Sequence, residues 1–199
     1  LHLHTEFSQL DGLGTSEQYT QQAKKLGQEF ISCTDHGNID GIIKFQNACK
    51  KENITPILGC ELYICQDIKI KDNQRYHLVA LVRSREGLTN LMRMLSLANL
   101  DGFYKRPRID PDLLLRHTEG LVLLTACIGS FINMPGGEKL LGLLKNMTNV
   151  FLEIMPHAHP KQKVHNLRCL ELSRRHDIPL VATNECHYPY PGMEATQEV

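Results

Sequence analysis

The chain has 199 residues and balanced charge, with 22 Lys and Arg against 22 Asp and Glu, so bulk electrostatics predict no general attraction to nucleic acid. A hydrophobic share of 42% suits a globular fold with one real core. No apolar run reaches the ~20 residues of a membrane helix, no charged-then-apolar leader opens the chain, and seven cysteines without a CxxC pair exclude a disulfide scaffold and point to a reducing, cytoplasmic setting.

The chain opens without methionine on Leu1-His2-Leu3-His4, as expected of a trimmed product or a piece of something longer. Alternate side chains of a strand share a face, so His2 and His4 point one way and Leu1 and Leu3 the other, with Asp11 following. Thr15 or Ser16 can cap a helix carrying Tyr19, Ala23 and Leu26, and Gly27 is placed to end it. Glu29–Cys33 reads as a buried strand running into the polar turn Thr34–Asn38. A second helix puts Ile42, Phe45 and Cys49 on one face, and the strand Thr55–Glu61 follows, ending on an acid. Leu62 to Gln74 reads as a hairpin, and Tyr76–Val82 as a further strand.

The next helix carries Leu88, Leu91, Met92 and Leu95 at i, i+3, i+4, i+7. Leu100 to Asp110 is loop-like, and Asp110-Pro111 starts a short helix well. Strand Gly120–Thr125, a helix with Leu140, Leu143, Leu144 and Met147, strand Val150–Ile154, a helix from about Lys161 to His176 and strand Pro179–Thr183 complete the chain. This alternation predicts an α/β fold with a largely parallel sheet. Seven short strands in a chain of this length suit a closed or nearly closed barrel, in which ligands gather at the C-terminal strand ends.

The residues after each apolar run form a pattern. His2, His4 and Asp11 follow or belong to the first, Asp35 and His36 the second, Glu61 the third, Cys127 the fifth, and Glu185 and His187 the seventh. The sixth offers Glu153, with His157 and His159 beyond. His77 precedes its run, so it must reach the same site from the other end or through a local antiparallel pairing. His157, His159, His165 and His176 read as surface or helix histidines. So many carboxylates and imidazoles on one rim are costly unless cations neutralise them. Their number implies two or three divalent ions, with mixed His and carboxylate ligation suiting Zn²⁺ or Mn²⁺ and one Cys tilting towards zinc, while Fe and Mg remain open.

The segments HLHTEFSQLDG, TDHGN, GCE, HLVALVRS, FYKRPRID, ACIG and ATNECHY resemble the polymerase-and-histidinol-phosphatase (PHP) domain. In particular they resemble the form at the N-terminus of the bacterial replicative DNA polymerase III alpha subunit. The resemblance implies a single-domain, distorted seven-stranded β/α barrel of TIM-like kind with a trinuclear metal site. It carries over nine ligand positions: His2, His4, Asp11, His36, Glu61, His77, Cys127, Glu185 and His187. Of these, His36, Glu61 and His187 are expected to serve catalysis. The last motif usually has Asp where Glu185 stands, and the stretch between Cys127 and Glu153 is shorter than usual. Residues 1–192 would form the domain, and 193–199 the start of a linker towards a polymerase region.

The implied chemistry is phosphoester hydrolysis by a metal-activated water; no convincing nucleophile and base surround Ser8, Ser32 or Cys186. In the polymerase setting the implied partners are the 3′ end of single-stranded DNA and the rest of the replicative polymerase, giving a 3′–5′ proofreading exonuclease. Lys105, Arg106 and Arg108 would hold backbone phosphates, with Phe103 or Tyr104 for stacking; alternatively Arg106 and Arg108 pair with rim carboxylates or contact the polymerase. Two other readings stand beside this one: a catalytically silent metal-binding module, and a small-molecule phosphatase of the histidinol-phosphate kind.

Overall fold

The computed structural model describes residues 1–197; of the expected linker, 198–199 lie outside the described residues. Helix α1 (Ser16–Lys25) begins at a capping box, with Thr15 accepting from the Gln18 amide and Gln18 returning the bond to the Thr15 backbone. Strand β1 (Phe30–Cys33), α2 (Ile42–Glu52), β2 (Thr55–Ile64) and β3 (Tyr76–Val82) follow. Next come α3 (Arg85–Leu100), β4 (Arg108–Ile109), α4 (Pro111–Leu115) and β5 (Leu121–Leu124). The described chain ends with α5 (Gly137–Lys145), β6 (Asn149–Ile154), α6 (Pro160–His176), β7 (Leu180–Ala182) and the short α7 (Glu194–Gln197). Among the described residues no helix is long and apolar enough to cross a membrane.

The sheet runs β1-β2-β3-β5-β6-β7, with β4 paired to β2. The strands are parallel except β3, which is antiparallel to both β2 and β5. The expected hairpin within Leu62–Gln74 is therefore larger: β2 and β3 are its arms, and the segment between them is its loop. Seven strands were expected and seven form among the described residues, with one exchange. The short β4 lies in the stretch read as a loop, while the opening segment makes isolated bridges and no named strand. Even so, that segment bridges the two edges of the curled sheet. His4 N donates to Cys186 O, Cys186 N to His2 O and Thr34 N to Leu3 O, so residues 2–4 lie between the ends of β7 and β1.

Period-2 alternation assigns the two faces. On β3, Leu78 and Ala80 point outward to Leu91, Met94 and Leu95 of α3 in the main core. Val79 and Leu81 point into the barrel with Leu124, Val122, Phe151 and Val181. A third cluster packs Tyr19, Ala23, Phe45 and Cys49 of α1 and α2 against Leu3, Ile31 and Cys33. The buried face of α3 differs from expectation: Met94 and Ala98 are buried, whereas Met92 is exposed. Gly87 lies on the buried face as well, where a Cβ would meet the Gly120 carbonyl oxygen at 1.9 Å.

Candidate metal centre

Following the inward face towards the C-terminal rim, apolar residues give way to ligands. On β2 the face runs through Ile57 and Glu61, and on β6 from Phe151 to Glu153. Because β3 runs the other way, His77 at its start comes to the same rim, opposite Tyr63. This is the antiparallel route that the position of His77 required.

The loop after the opening segment is held by Asp35, which is buried and accepts from Thr5 N (2.7 Å), Thr5 Oγ1 (2.8 Å), Ser8 Oγ (2.7 Å) and Cys33 Sγ (3.1 Å). Gly12 lets the chain turn back tightly, since a Cβ there would meet the Thr5 carbonyl oxygen at 2.2 Å. Asp11 thereby reaches His36 Nε2 at 2.7 Å and His187 Nε2 at 3.0 Å. Ala126 (φ 62°) and Glu185 (φ 47°) are both left-handed. Such conformations cost about 1–3 kcal/mol, and here they turn Cys127 and Glu185 towards the rim.

Glu61 is the centre of the cluster. Its carboxylate, wholly buried, lies 2.7 Å from His77 Nδ1, 2.8 Å from His36 Nδ1, 3.3 Å from His4 Nε2 and 3.5 Å from His2 Nε2. Neither Glu61 oxygen makes a hydrogen bond of normal geometry, and the same holds for His2 Nε2, His4 Nε2 and His36 Nδ1, whose contacts with Glu61 are close charge pairs only. Buried polar atoms are almost always hydrogen-bonded, so five orphans within one small volume mark lone pairs aimed at a common centre. The far nitrogens are occupied. His4 Nδ1 lies 3.2 Å from Ser8 Oγ, and His187 Nδ1 lies 3.0 Å from the Glu185 carbonyl. Since Ser8 spends its proton on Asp35, it can only accept from His4, which fixes the proton on Nδ1 and frees Nε2.

The ligand atoms form three overlapping groups, each within 4.8 Å: His4, His36 and His187; His2, His4, Glu61 and Glu185; and Glu61, His77, Cys127 and Glu185. With Asp11 bonded to His36 and His187, the structure brings together all nine positions expected from the sequence. Their N, O and S donors form a set that divalent metal ions can use. In the ion-free cluster the imidazoles and carboxylates shift one another. Burial opposes ionisation of Glu61, but the charges of His2 and His77 outweigh it and hold its carboxyl well below the usual range. Burial keeps His4 well below the ordinary imidazole value, while Asp11 and Glu61 overcome burial and raise His36 to about 9.

The expected phosphate-binding residues fare differently. Arg108 is buried, and its guanidinium donates to the carbonyls of Gly102 (3.1 Å), Ile70 (3.1 Å), Asp72 (3.2 Å) and Ile68 (3.3 Å). It ties the β2–β3 loop down and is not free for substrate. Lys105 is exposed and sits over the Tyr104 ring, outside the cavity above the site. Arg106 does line that 560 Å³ cavity, together with Asp11, His36, Tyr63, His77 and Arg75. Both Arg75 and Arg106 approach the Tyr63 ring, at 5.8 and 6.0 Å, and Tyr63 stacks on His36 at 5.7 Å. Phe103 and Tyr104, expected to stack, are absent from the lining. Tyr63 and Arg75 were not anticipated, although each lies two residues from a ligand, Glu61 and His77, the spacing that shares a strand face. His165 is buried on α6 and bonded to Cys169, away from the cluster.

A PHP domain profile matches residues 1–159. The chain is 34% identical over its whole length to the DNA polymerase III alpha subunit of Treponema pallidum, and 35% identical over 96% of its length to that of Aquifex aeolicus. It spans 18% of the length of each. Among solved structures, a Bifidobacterium adolescentis protein titled as a candidate metal-dependent phosphoesterase matches with TM-score 0.60 and 16% identity, over 94% of this chain and 86% of that one. An amidohydrolase from Chromobacterium violaceum matches with TM-score 0.59 and 15% identity, over 97% and 88%; at such identities the likeness is one of fold. The matched profile, the barrel and its full-length relatives together place this chain in the PHP domain family.

Proposed function

We propose that the chain is a metal-dependent phosphoesterase which, as the PHP region of a cytoplasmic replicative polymerase, removes nucleotides from the 3′ end of single-stranded DNA. Residues 1–192 would form this unit, with 193–199 leading to the polymerase region. The observation that carries the reading is the set of orphaned lone pairs on His2, His4, His36 and Glu61, lying under a cavity with two unneutralised arginines. The arginine ion pairs among the described residues belong to Arg108, Arg116 and Arg175, so Arg75 and Arg106 keep their charge for a phosphate.

His2, His4, Asp11, His36, Glu61, His77, Cys127, Glu185 and His187 would hold two or three divalent ions. Bound cations supply Lewis acidity, lowering the pKa of water and offsetting phosphate charge. The chain's own residues do the rest. Arg75 and Arg106 grip non-bridging phosphate oxygens and set the scissile bond over the cluster. Tyr63, packed between those arginines and His36, fixes their distance from the metal ligands. Burial of Glu61, His2 and His4 excludes bulk water beneath the substrate and strengthens every charge interaction there. In this reading His36, Glu61 and His187 serve catalysis as ligands of the bound ions.

The test is hydrolysis of a 3′-labelled DNA strand, a mononucleotide and p-nitrophenyl mono- and diesters by the metal-reconstituted chain. Single-nucleotide release from the 3′ end supports the exonuclease. Turnover confined to monoesters would assign a small-molecule phosphatase, and metal uptake without any turnover a structural module.

A further inference from the structure

Glu153 is a buried acid that the nine ligands leave unexplained. It is fully buried on the inward face of β6. Its backbone is pinned, with N donating to Thr125 Oγ1 at 2.8 Å and the carbonyl accepting from Cys169 Sγ at 3.5 Å. Its Oε1 accepts from His2 Nδ1 at 2.9 Å and from the Thr183 hydroxyl, while Oε2 has no partner. Burying a carboxylate costs several kcal/mol per ion, and a glutamine would satisfy the same two donors without that cost. A carboxylate here is explained if the far nitrogen of its imidazole partner faces a cation. The partner's other nitrogen, His2 Nε2, is an orphan beside His4, Glu61 and Glu185. His4, by contrast, has only a neutral hydroxyl on its far nitrogen.

We propose that Glu153 is a positioning residue for the His2–His4–Glu61–Glu185 group: it fixes the proton of His2 on Nδ1, turns the Nε2 lone pair to the ion held by that group, and strengthens that nitrogen as a donor. This rests on the metal-binding reading of the cluster. Carboxylates behind ligating imidazoles typically change metal affinity by roughly 10–100-fold.

The experiment is a competitive Zn²⁺ titration of the chain and of Glu153→Gln and Thr183→Val, with histidine ring ¹⁵N spectra of the zinc-loaded wild type. Glu153→Gln should weaken one bound ion by roughly 10–100-fold and leave any others unchanged. Thr183→Val, which returns the shared oxygen wholly to His2, should bind as tightly as wild type or tighter. The spectra should show His2 protonated at Nδ1. Equal affinities for wild type and Glu153→Gln, a uniform loss at every ion, or loss with Thr183→Val would each overturn the proposal. Should Glu153→Gln not fold, a His2 proton on Nε2 in the wild type overturns it alone. A wild type that binds no ion would instead overturn the metal reading itself.

Discussion

Arg108 offers the sharpest separation between structural and substrate-binding roles. Replace it with methionine, which keeps the length of the stem and removes the guanidinium. The bonds lost are those to Gly102, Ile70, Asp72 and Ile68. The last three carbonyls lie on the loop after β2 and regain water when released. Gly102 is buried, and its carbonyl stays orphaned, at about 1–3 kcal/mol. Lost order in the loop adds about 1 kcal/mol, so the expected cost is about 2–4 kcal/mol. For a chain of this size that lowers Tm by roughly 5–15 °C. The freed loop carries Arg75, so KM for phosphoesters should rise in the folded variant while kcat changes little. Urea denaturation of the metal-loaded protein beside steady-state kinetics measures both. Unchanged stability together with a shallower salt dependence of DNA binding, the signature of one lost phosphate contact, would refute this reasoning and restore Arg108 as a substrate ligand.

Arg75→Gln and Arg106→Gln should each reduce kcat/KM on DNA by roughly 10-fold or more, the scale of one charge-assisted bond, whereas Lys105→Gln should leave it within about 2-fold at fixed ionic strength; equal losses at all three would argue for a diffuse basic surface. In the metal-free chain burial acts to lower the His36 pKa, but Asp11 and Glu61 raise it from 6.5 to about 9. A raised imidazole pKa gives stability that is complete below pH 6.5 and lost as pH rises through about 9. Chelator-treated protein should therefore lose Tm across that window, while zinc-loaded protein, whose ligands are already deprotonated, should not; parallel profiles would contradict the ligand assignment of His36.

Much of the site was legible because strand alternation is a strict geometric rule. His2 with His4, and Glu61 at the end of an apolar run, needed only period 2 to be placed on one rim. The same rule reaches Tyr63 from Glu61 and Arg75 from His77, but an aromatic or arginine two residues from an acid has no chemical signature of its own. Glu153 ended its run as plainly as Glu61 did. What the sequence hides is that its partner lies 151 residues away, at His2. Arg108 misled for a related reason, because exposure is not written in a basic stretch. Lys105, Arg106 and Arg108 look alike in sequence, yet the two-residue strand β4 turns Arg108 inward under the loop and leaves its neighbours outside. Strand direction was equally hidden: β2 and β3 read as ordinary members of an alternating series, and their antiparallel pairing shows only in the odd position of His77.

The central claim is that the cluster around Glu61 is a metal-dependent phosphoesterase centre. Its most direct test is the rate of nucleotide release from a 3′-labelled single strand, followed as Mn²⁺ or Zn²⁺ is returned to chelated protein, for wild type and Glu61→Gln. A metal-dependent centre gives no release without metal, saturable recovery in the wild type, and a loss of at least 100-fold in the variant, about 2.7 kcal/mol of transition-state stabilisation. Release that persists after chelation, or that survives Glu61→Gln undiminished, would contradict it.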